Sequence, residues 1–440
     1  MTKFRNGSLA RFVIALLLLA VNFVGVRASA QEADPLPIPK DTVKFPNTTA
    51  GEFSPATGFS ILDSKMGSLN ISVYGLFRYI NQMPAGQTFT DHLGNVLEVK
   101  PVNDLNWHRS MIWLSGWFYD PRIRYTITSW SLPTTQQALV FGNIMFLAKP
   151  WLNFGTGIAP NLTARSMQGS WPFWPGSDRQ MSEELFRGGF SSGFWITGEA
   201  LPRFTYTLSV NNNISQLGIV QSNDSRHLAW SGSVRWQPTT GEFGPRNGFG
   251  DLEYHRQVAT QFGASAGFAR EGRGAPRDQP PNATQVKLSD GTNPFTEGAL
   301  AKDVILDTLS YHEAAMDAGV KYKGFSFNTE YYWRTLNNFD ASGPLPLSSI
   351  FDRGIMARTS YVVVPKTVDA FIFGDYVWDQ FKRFPWDIGG GASYYPSHTR
   401  SLRLNAYILH INKSAASSTF GYYLAGQTGT TFSLGVDILL

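Results

Sequence analysis

The sequence contains no cysteine and little charge, and each shortage excludes a class of function. Without cysteine the chain has no disulfides, no thiolate metal ligands and no cysteine nucleophile. Charged residues make up 16% of the chain, whereas about a quarter is usual for a soluble domain. The seven histidines are scattered, with no spacing that is typical of a metal site. We therefore expect no metal and no cofactor.

Long apolar runs are also missing after residue 30. No later run approaches the ~20 residues that a membrane-spanning helix needs. A mature chain in a membrane would therefore cross it as a closed barrel, because lipid cannot satisfy an open sheet edge. Aromatic residues are abundant at 14%, and there are 42 glycines. This composition is typical of a barrel with a lipid-facing exterior, although a secreted β-sandwich or lectin could share part of it.

The N-terminus resembles a cleaved export signal. Positive residues come first (Lys3, Arg5, Arg11), an unbroken apolar run follows at 12–21, and residues 28–30 are Ala-Ser-Ala. We expect residues 1–30 to be removed and the protein to reach the bacterial outer membrane. The signal carries four basic residues and no acid, so its loss reduces the formal net charge from +4 to zero. A neutral mature chain gives no support to nucleic-acid binding.

Alternation of apolar and polar residues dominates the rest of the chain. In the closing segment Phe432, Leu434 and Val436 alternate with Ser433, Gly435 and Asp437, which is the period of a β-strand. The pattern predicts an all-β fold, a transmembrane antiparallel up-and-down β-barrel of about sixteen strands. The predicted strands are 69–80, 105–119, 121–131, 138–148, 150–158, 189–199, 203–212, 226–237, 260–270, 309–322, 324–335, 353–363, 367–378, 385–396, 400–411 and 429–440.

The connections divide into tight turns, which we assign to the periplasm, and longer outer loops. This assignment places both chain ends in the periplasm, with a Pro-rich leader at 31–66 and the barrel domain at 67–440. The weakest point is the long periplasmic connection 238–259, where 251–257 could be a strand, so fourteen or eighteen strands stay possible. In the strand 367–378 the alternation is imperfect, because Phe371 and Phe373 share a face with aspartates. A β-bulge there would place the aromatic and acidic residues on opposite faces. Candidate residues for the interfacial aromatic girdles are Trp107, Trp130, Trp151, Trp236, Trp333, Trp378 and Trp386.

The outer loop 159–188 is the most informative segment. Its middle, 171–175, is Trp-Pro-Phe-Trp-Pro, and a loop this stiff is expected to fold into the barrel and narrow the pore. The alternative is an ordinary surface loop packed over the rim. Its charged residues, the candidates for a constriction, are Arg165, Arg179, Arg187, Asp178, Glu183 and Glu184.

Alternation also predicts which charged residues face the lumen. The predicted inward bases are Arg109, Arg124, Arg203, Arg235, Lys321, Arg334, Arg358 and Arg403, and the predicted inward acids are Glu313, Asp317, Glu330 and Asp437. An excess of fixed positive charge would favour the passage of anions. Alternatively, these residues form ion pairs across the wall that only solvate the lumen.

Several stretches resemble the phosphate-selective porin O and P family. They are 361–366 (YVVVPK), 389–396 (GGGASYYP), 401–407 (SLRLNAY), the hairpin 315–332 and the segment 152–160. The resemblance implies a sixteen-stranded, trimeric porin whose best-known relatives pass phosphate along basic residues. Here acids are mixed with the arginines of the long loop, and Leu440 replaces the usual terminal aromatic residue.

We therefore interpret the chain as an outer-membrane porin for small hydrophilic solutes, with a modest preference for anions. Its expected partners are outer-membrane lipid, the solutes and two further copies in a homotrimer. One alternative is a barrel with a closed lumen that acts as a surface-interaction or structural protein. Another is an outer-membrane hydrolase, since residues 224–227 are Asp-Ser-Arg-His, although adjacency in sequence is not the geometry of a catalytic triad.

Overall fold

The computed structural model describes residues 54–132, 137–169, 171–214, 227–417 and 422–440. The predicted signal peptide, most of the predicted leader and residues 224–226 lie outside these ranges. The described chain is almost entirely β-structure. In chain order the strands are β1 (Phe59–Ser64), β2 (Gly67–Met83), β3 (Gln87–Thr90), β4 (Val96–Val99), β5 (Asn103–Phe118), β6 (Asp120–Leu132), β7 (Gln137–Lys149), β8 (Leu152–Pro160), β9 (Phe190–Leu201), β10 (Phe204–Asn211), β11 (Ala229–Trp236), β12 (Ala259–Gly272), β13 (Leu306–Tyr322), β14 (Phe325–Ala341), β15 (Ser349–Val364), β16 (Val368–Trp378), β17 (Trp386–Tyr394), β18 (Leu402–Asn412) and β19 (Gly429–Leu439).

Sixteen of these strands, β2 and β5 to β19, form one closed antiparallel barrel. Each strand pairs with the barrel strand that follows it in sequence, and β19 pairs with β2 to close the ring. Val73 and Leu440 complete the seam with two backbone hydrogen bonds of 2.9 Å. Closure leaves the sheet of the barrel without a free edge, as lipid requires. The predicted fold class and all sixteen predicted strands are confirmed.

The two faces of each strand explain why the barrel forms. In β19, Thr431, Ser433 and Asp437 are buried inside, whereas Leu434 and Val436 are exposed outside by 44% and 39%. Successive side chains of a strand point to opposite sides, so the polar residues enter the lumen and the apolar residues form the outer face, which is the face that meets lipid in membrane barrels. In β16, Phe371 and Phe373 are buried, and the pairing with β17 is regular. The register shift in the pairing with β15 lies between Val362 and Val364 on β15, opposite the start of β16. The expected bulge is therefore wrong, and both rings lie in the lumen.

Local turn chemistry fixes the periplasmic end of several hairpins. Lys323 and Gly324 join β13 to β14 with positive φ angles of 48° and 84°. A two-residue hairpin turn of type I′ requires positive φ at both positions, which is why glycine is favoured at one of them. Arg203 (φ 68°) sits in the corresponding turn between β9 and β10. It therefore belongs to a turn and not to the predicted strand 203–212.

The structure differs from the sequence-based expectations at three other points. The connection between β11 and β12 contains turns and a short 3₁₀ helix (Pro245–Asn247), so 251–257 is not a strand and the barrel count stays at sixteen. Within the predicted leader, β1 pairs with the start of β2. Trp130 is 2% exposed and faces the lumen, so it is not a girdle residue, whereas Trp107, Trp151 and Trp236 are about half exposed.

The helices in the described part of the chain are short, and none of them is long and apolar enough to cross a membrane. The one α-helix among the described residues, α1 (Met181–Phe186), belongs to the long outer loop between β8 and β9. The largest buried apolar cluster joins this loop to inward residues of the wall, among them Tyr74, Trp113 and Tyr332. The core of the protein therefore lies inside the barrel.

We predict that Leu208→Arg impairs assembly, because Leu208 is 52% exposed on the outer face in the middle of β10. An arginine near the bilayer midplane costs about 2–4 kcal/mol. The matched control is Leu208→Phe, which keeps an apolar side chain at the same place. The free energy of unfolding in phospholipid vesicles measures the effect, and equal values for both variants would show that this face does not meet lipid.

Candidate pore constriction

The outer loop between β8 and β9 lies inside the barrel. We name residues 161–189 the constriction loop. All of its described residues are buried except Gln168 and Phe173, which are half-buried. Asn161 and Gly189 close its base through a backbone hydrogen bond of 2.8 Å, and Gly188 donates to the Thr163 hydroxyl there. A loop packed over the rim would be largely exposed, so its burial places this segment in the lumen.

Arginines on β14, β15 and β18 of the barrel wall bind the constriction loop. Each of three wall guanidinium groups donates to a loop carbonyl: Arg334 to Leu185 (3.0 Å), Arg358 to Pro175 (3.1 Å) and Arg403 to Trp174 (2.6 Å). Arginine suits this role because its rigid fork carries five donors and stays charged. Arg334 also binds Asp352 at 2.7 Å, and Arg403 binds Asp437. The wall thus fastens the loop, while aspartates compensate the charges of Arg334 and Arg403.

The opposite wall binds the loop through Asp178. Its carboxylate accepts a hydrogen bond of 3.3 Å from Arg78 on β2 and lies 3.7 Å from Arg109 on β5. Arg109 also lies over the ring of Trp171, 5.6 Å from its centre. Because β2 and β5 are separated from β14 and β15 in the ring of strands, the loop crosses the lumen between two walls.

Arg165 anchors the start of the loop deep in the barrel. Its guanidinium donates to the Asn328 side chain at 2.9 Å and to the carbonyl of Asn247 at 2.8 Å. It lies 3.7 Å from Asp317, and its backbone N–H donates to Glu330 at 2.9 Å. Arg165 therefore binds acceptors both of the wall and of the connection before β12.

The other charged residues of the loop pair with one another. Arg179 lies 3.8 Å from Glu183 and 3.7 Å from Glu184, and Arg187 binds Glu184 at 3.1 Å. These groups are almost completely buried, and a buried charge without a partner would cost several kcal/mol. The pairing explains why acids and arginines alternate in this loop.

The remaining residues that were predicted to face the lumen differ in their partners and in their exposure. Arg235 donates to Gln168 of the loop at 3.0 Å, Lys321 donates to the carbonyl of Phe243 at 2.7 Å, and Glu313 accepts from Tyr311. Arg124 is half-buried on β6. Arg203 is exposed and donates to the carbonyls of Pro238 and Thr239, so it does not line the lumen. The reason is its place in a turn, where the alternation of a strand no longer applies.

Four residues of the site were missed from the sequence. Arg78 and Asp352 occupy inward positions of their strands, so alternation alone could have identified them. Arg400 binds Asp437 at 2.8 Å and donates to the carbonyl of Pro172, but it precedes β18 in a turn. Arg246 lies in the aperiodic connection before β12, which carries no local signal for a position in the lumen.

The pairing changes the electrostatics of the lumen. Eight of its arginines have a carboxylate within 4 Å, and they are Arg78, Arg109, Arg165, Arg179, Arg187, Arg334, Arg400 and Arg403. Paired charges generate a weaker field than the unpaired excess of bases that would favour anions. The geometry therefore matches the expectation of ion pairs across the wall better than that of a basic ladder.

Outer loops cover the mouth above the constriction loop. Val286, Leu288 and Phe295 form a second buried cluster with residues of the wall. Asp290 of the same loop binds His92 at 2.8 Å and lies 3.6 Å from Arg383, which ties three outer connections together. Burial lowers the pKa of His92 despite the raising effect of Asp91.

In the described chain, no three histidine or acidic side chains are grouped to hold a metal.

At the periplasmic end, His255 ties the connection before β12 together. Its ring binds Asp251 on one nitrogen and Glu242 on the other, the latter at 3.0 Å. Burial lowers the pKa of His255, but the hydrogen bonds to the two carboxylates outweigh burial and raise it from 6.5 to about 9. The protonated ring therefore stabilises this connection at neutral pH.

We predict that Arg334→Met destabilises the protein by about 3–5 kcal/mol, because it leaves Asp352 buried without its guanidinium. The double variant Arg334→Met/Asp352→Leu should lose much less, since it removes both charges. Urea unfolding in vesicles gives the coupling energy through a double-mutant cycle. Additive losses would contradict a buried ion pair.

We also predict a pH dependence from His255. A raised pKa means that the stabilisation is complete below the ordinary value of 6.5 and disappears as pH rises through about 9. The difference in unfolding free energy between the wild type and His255→Gln should shrink over this window. A difference that stays constant between pH 6.5 and about 9 would contradict a charged pair at this position.

Neither a protein-family model nor a curated protein sequence matches this chain. Among solved structures, outer-membrane expressed OmpT of Vibrio cholerae is 12% identical, with a TM-score of 0.53 over 86% of this chain and 100% of that one. In-vitro folded OmpT of the same organism is 12% identical, with a TM-score of 0.50 over 87% and 99%. An anion-selective porin from Comamonas acidovorans is 12% identical, with a TM-score of 0.49 over 85% of this chain and 100% of that one. The chain therefore shares the β-barrel fold of these outer-membrane proteins.

Proposed function

We propose that the protein is an outer-membrane channel through which small hydrophilic solutes diffuse. The observation that carries the proposal is the constriction loop, which crosses the lumen and is bonded to both walls. A segment fixed in this way narrows the passage and selects solutes by size. The wall arginines have a positioning role, because they hold the loop rather than move a solute.

We further propose that the mature chain begins after residue 30, resides in outer-membrane lipid and assembles as a homotrimer. The signal pattern, the exposed apolar face of the strands and the resemblance to the phosphate-selective porin O and P family support these points. Membership of that family stays a prediction. An anion preference is also a prediction, and it is weakened by the carboxylates that pair with eight arginines of the lumen.

A closed lumen is the second candidate, and a specific observation favours it. The loop is packed against aromatic residues of the wall. Its charged side chains bind one another, so diffusing ions would find few of these charges to contact. Such a barrel would serve as a surface-interaction or structural protein. The hydrolase hypothesis stays a prediction, since three of its four residues lie outside the described chain.

Single-channel recording with a loop deletion separates a channel from a closed barrel. Removing residues 164–187 joins Thr163 directly to Gly188, which already touch through a hydrogen bond. We expect the wild type to conduct and the deletion to conduct more, because the constriction is gone. The change in mobility of the folded barrel on heating in detergent shows whether each protein has assembled.

Two outcomes would oppose the channel. A silent wild type beside a conducting deletion variant would favour the closed lumen, and silence of both assembled barrels would reject transport altogether. The reversal potential of the wild type in a potassium chloride gradient tests the anion preference. A value near zero would match the compensated charges of the lumen.

A further inference from the structure

The connection between β11 and β12 differs from the other periplasmic connections of the barrel. It contains 22 residues (237–258), whereas the others contain one to seven. We name residues 237–258 the periplasmic connection. Porin-type barrels turn tightly on this side, so its length calls for an explanation.

The periplasmic connection folds upward into the lumen. Phe243, Phe249 and Asp251 are at most 1% exposed. Wall residues bind its backbone, since the carbonyl of Phe249 accepts from Asn328 at 2.7 Å and that of Phe243 accepts from Lys321 at 2.7 Å. The segment is therefore bonded to β13 and β14 from inside the barrel.

Inside the lumen the periplasmic connection meets the constriction loop. The backbone N–H of Phe249 donates to the carbonyl of Phe173 at 2.9 Å, and the ring of Phe249 stacks on Trp174 with centres 5.8 Å apart. Arg246 donates to the carbonyl of Trp171 at 3.1 Å. In turn, Arg165 of the constriction loop donates to the carbonyl of Asn247 in the periplasmic connection at 2.8 Å. Each segment thus binds the other's backbone.

The contact is close enough to require a glycine. A Cβ at Gly248 would lie 1.9 Å from the carbonyl oxygen of Phe173, whereas a Cβ at Gly250 would find ordinary contacts of 3.4 Å with Pro175. Arg246 also donates to the carbonyls of Ser54 and Pro55, so the chain before β1 joins the same contact. The lumen is therefore bridged from the periplasmic side as well as from the outer side.

We infer that the periplasmic connection is a second determinant of the constriction, which holds the constriction loop from below and thereby sets the width of the passage. The inference rests on the proposed channel function. A loop that is bonded only to the wall can move towards or away from it. A loop that is also bonded to the periplasmic connection is held in one position, so weakening that contact should widen the passage or let its width fluctuate.

A pair of glycine substitutions tests the inference. Gly248→Ala forces the connection away from Phe173, whereas the matched control Gly250→Ala adds the same methyl group two residues further on without a clash. A second pair is Arg246→Ala, which loses three carbonyl acceptors, against Arg122→Ala, whose side chain is 60% exposed beside a periplasmic turn. We expect Gly248→Ala and Arg246→Ala to raise single-channel conductance about twofold, with both controls unchanged.

A disulfide tests the contact without relying on conductance. The chain has no cysteine of its own, so Pro175→Cys/Gly250→Cys can form one bond only. A Cβ at residue 250 would lie 3.4 Å from Cγ and Cδ of Pro175, so cysteines at these two positions would be neighbours. We expect the oxidised double variant to run faster than its reduced form on denaturing gels, and either single variant to show no change. Failure to form the bond in an assembled barrel would overturn the inference.

The outcomes separate the inference from the proposed function. A conducting wild type with four unchanged variants would overturn the inference and leave the channel intact. If the wild type does not conduct but Gly248→Ala or Arg246→Ala does, the result would support the periplasmic connection as the element that closes the lumen. Silence of all five assembled barrels would reject the channel and the inference together.

Discussion

Arginines enclosed in the lumen need acceptors, because a buried guanidinium without them costs several kcal/mol. Carboxylates of the wall supply some of these acceptors, as Asp352 does for Arg334. The constriction loop supplies others, because most of its backbone is not helical and its carbonyls are free to accept. Arg358 and Arg403 use such carbonyls. The wall and the loop are therefore complementary, and neither could be buried in this form without the other.

This complementarity gives the charges of the lumen a structural role. Arginines that could have formed a positive path for anions are held by carboxylates and carbonyls, so they position the constriction instead. The aromatic residues that face inward, such as Phe371 and Phe373, have the same origin. They would be out of place in a water-filled lumen, but they pack against the loop that occupies it.

The lumen is organised from both ends. On the outer side the segment around Asp290 covers the mouth and binds two other outer connections. On the periplasmic side the periplasmic connection rises to Trp174 and Phe173. Both are long segments between β11 and β13, which makes this part of the chain the main departure from a simple barrel. In a barrel the ends of neighbouring strands are close, so segments inserted there can reach the same interior.

The sequence by itself determined the strands, their order and the face of most side chains. These properties follow from period-two alternation and turn chemistry, which act over neighbouring residues. Only the tertiary structure decided what each inward residue touches and that the connection before β12 enters the lumen. The partners of Arg165 lie more than eighty residues away in the chain. Such contacts depend on the closure of the whole ring, and no local pattern records them.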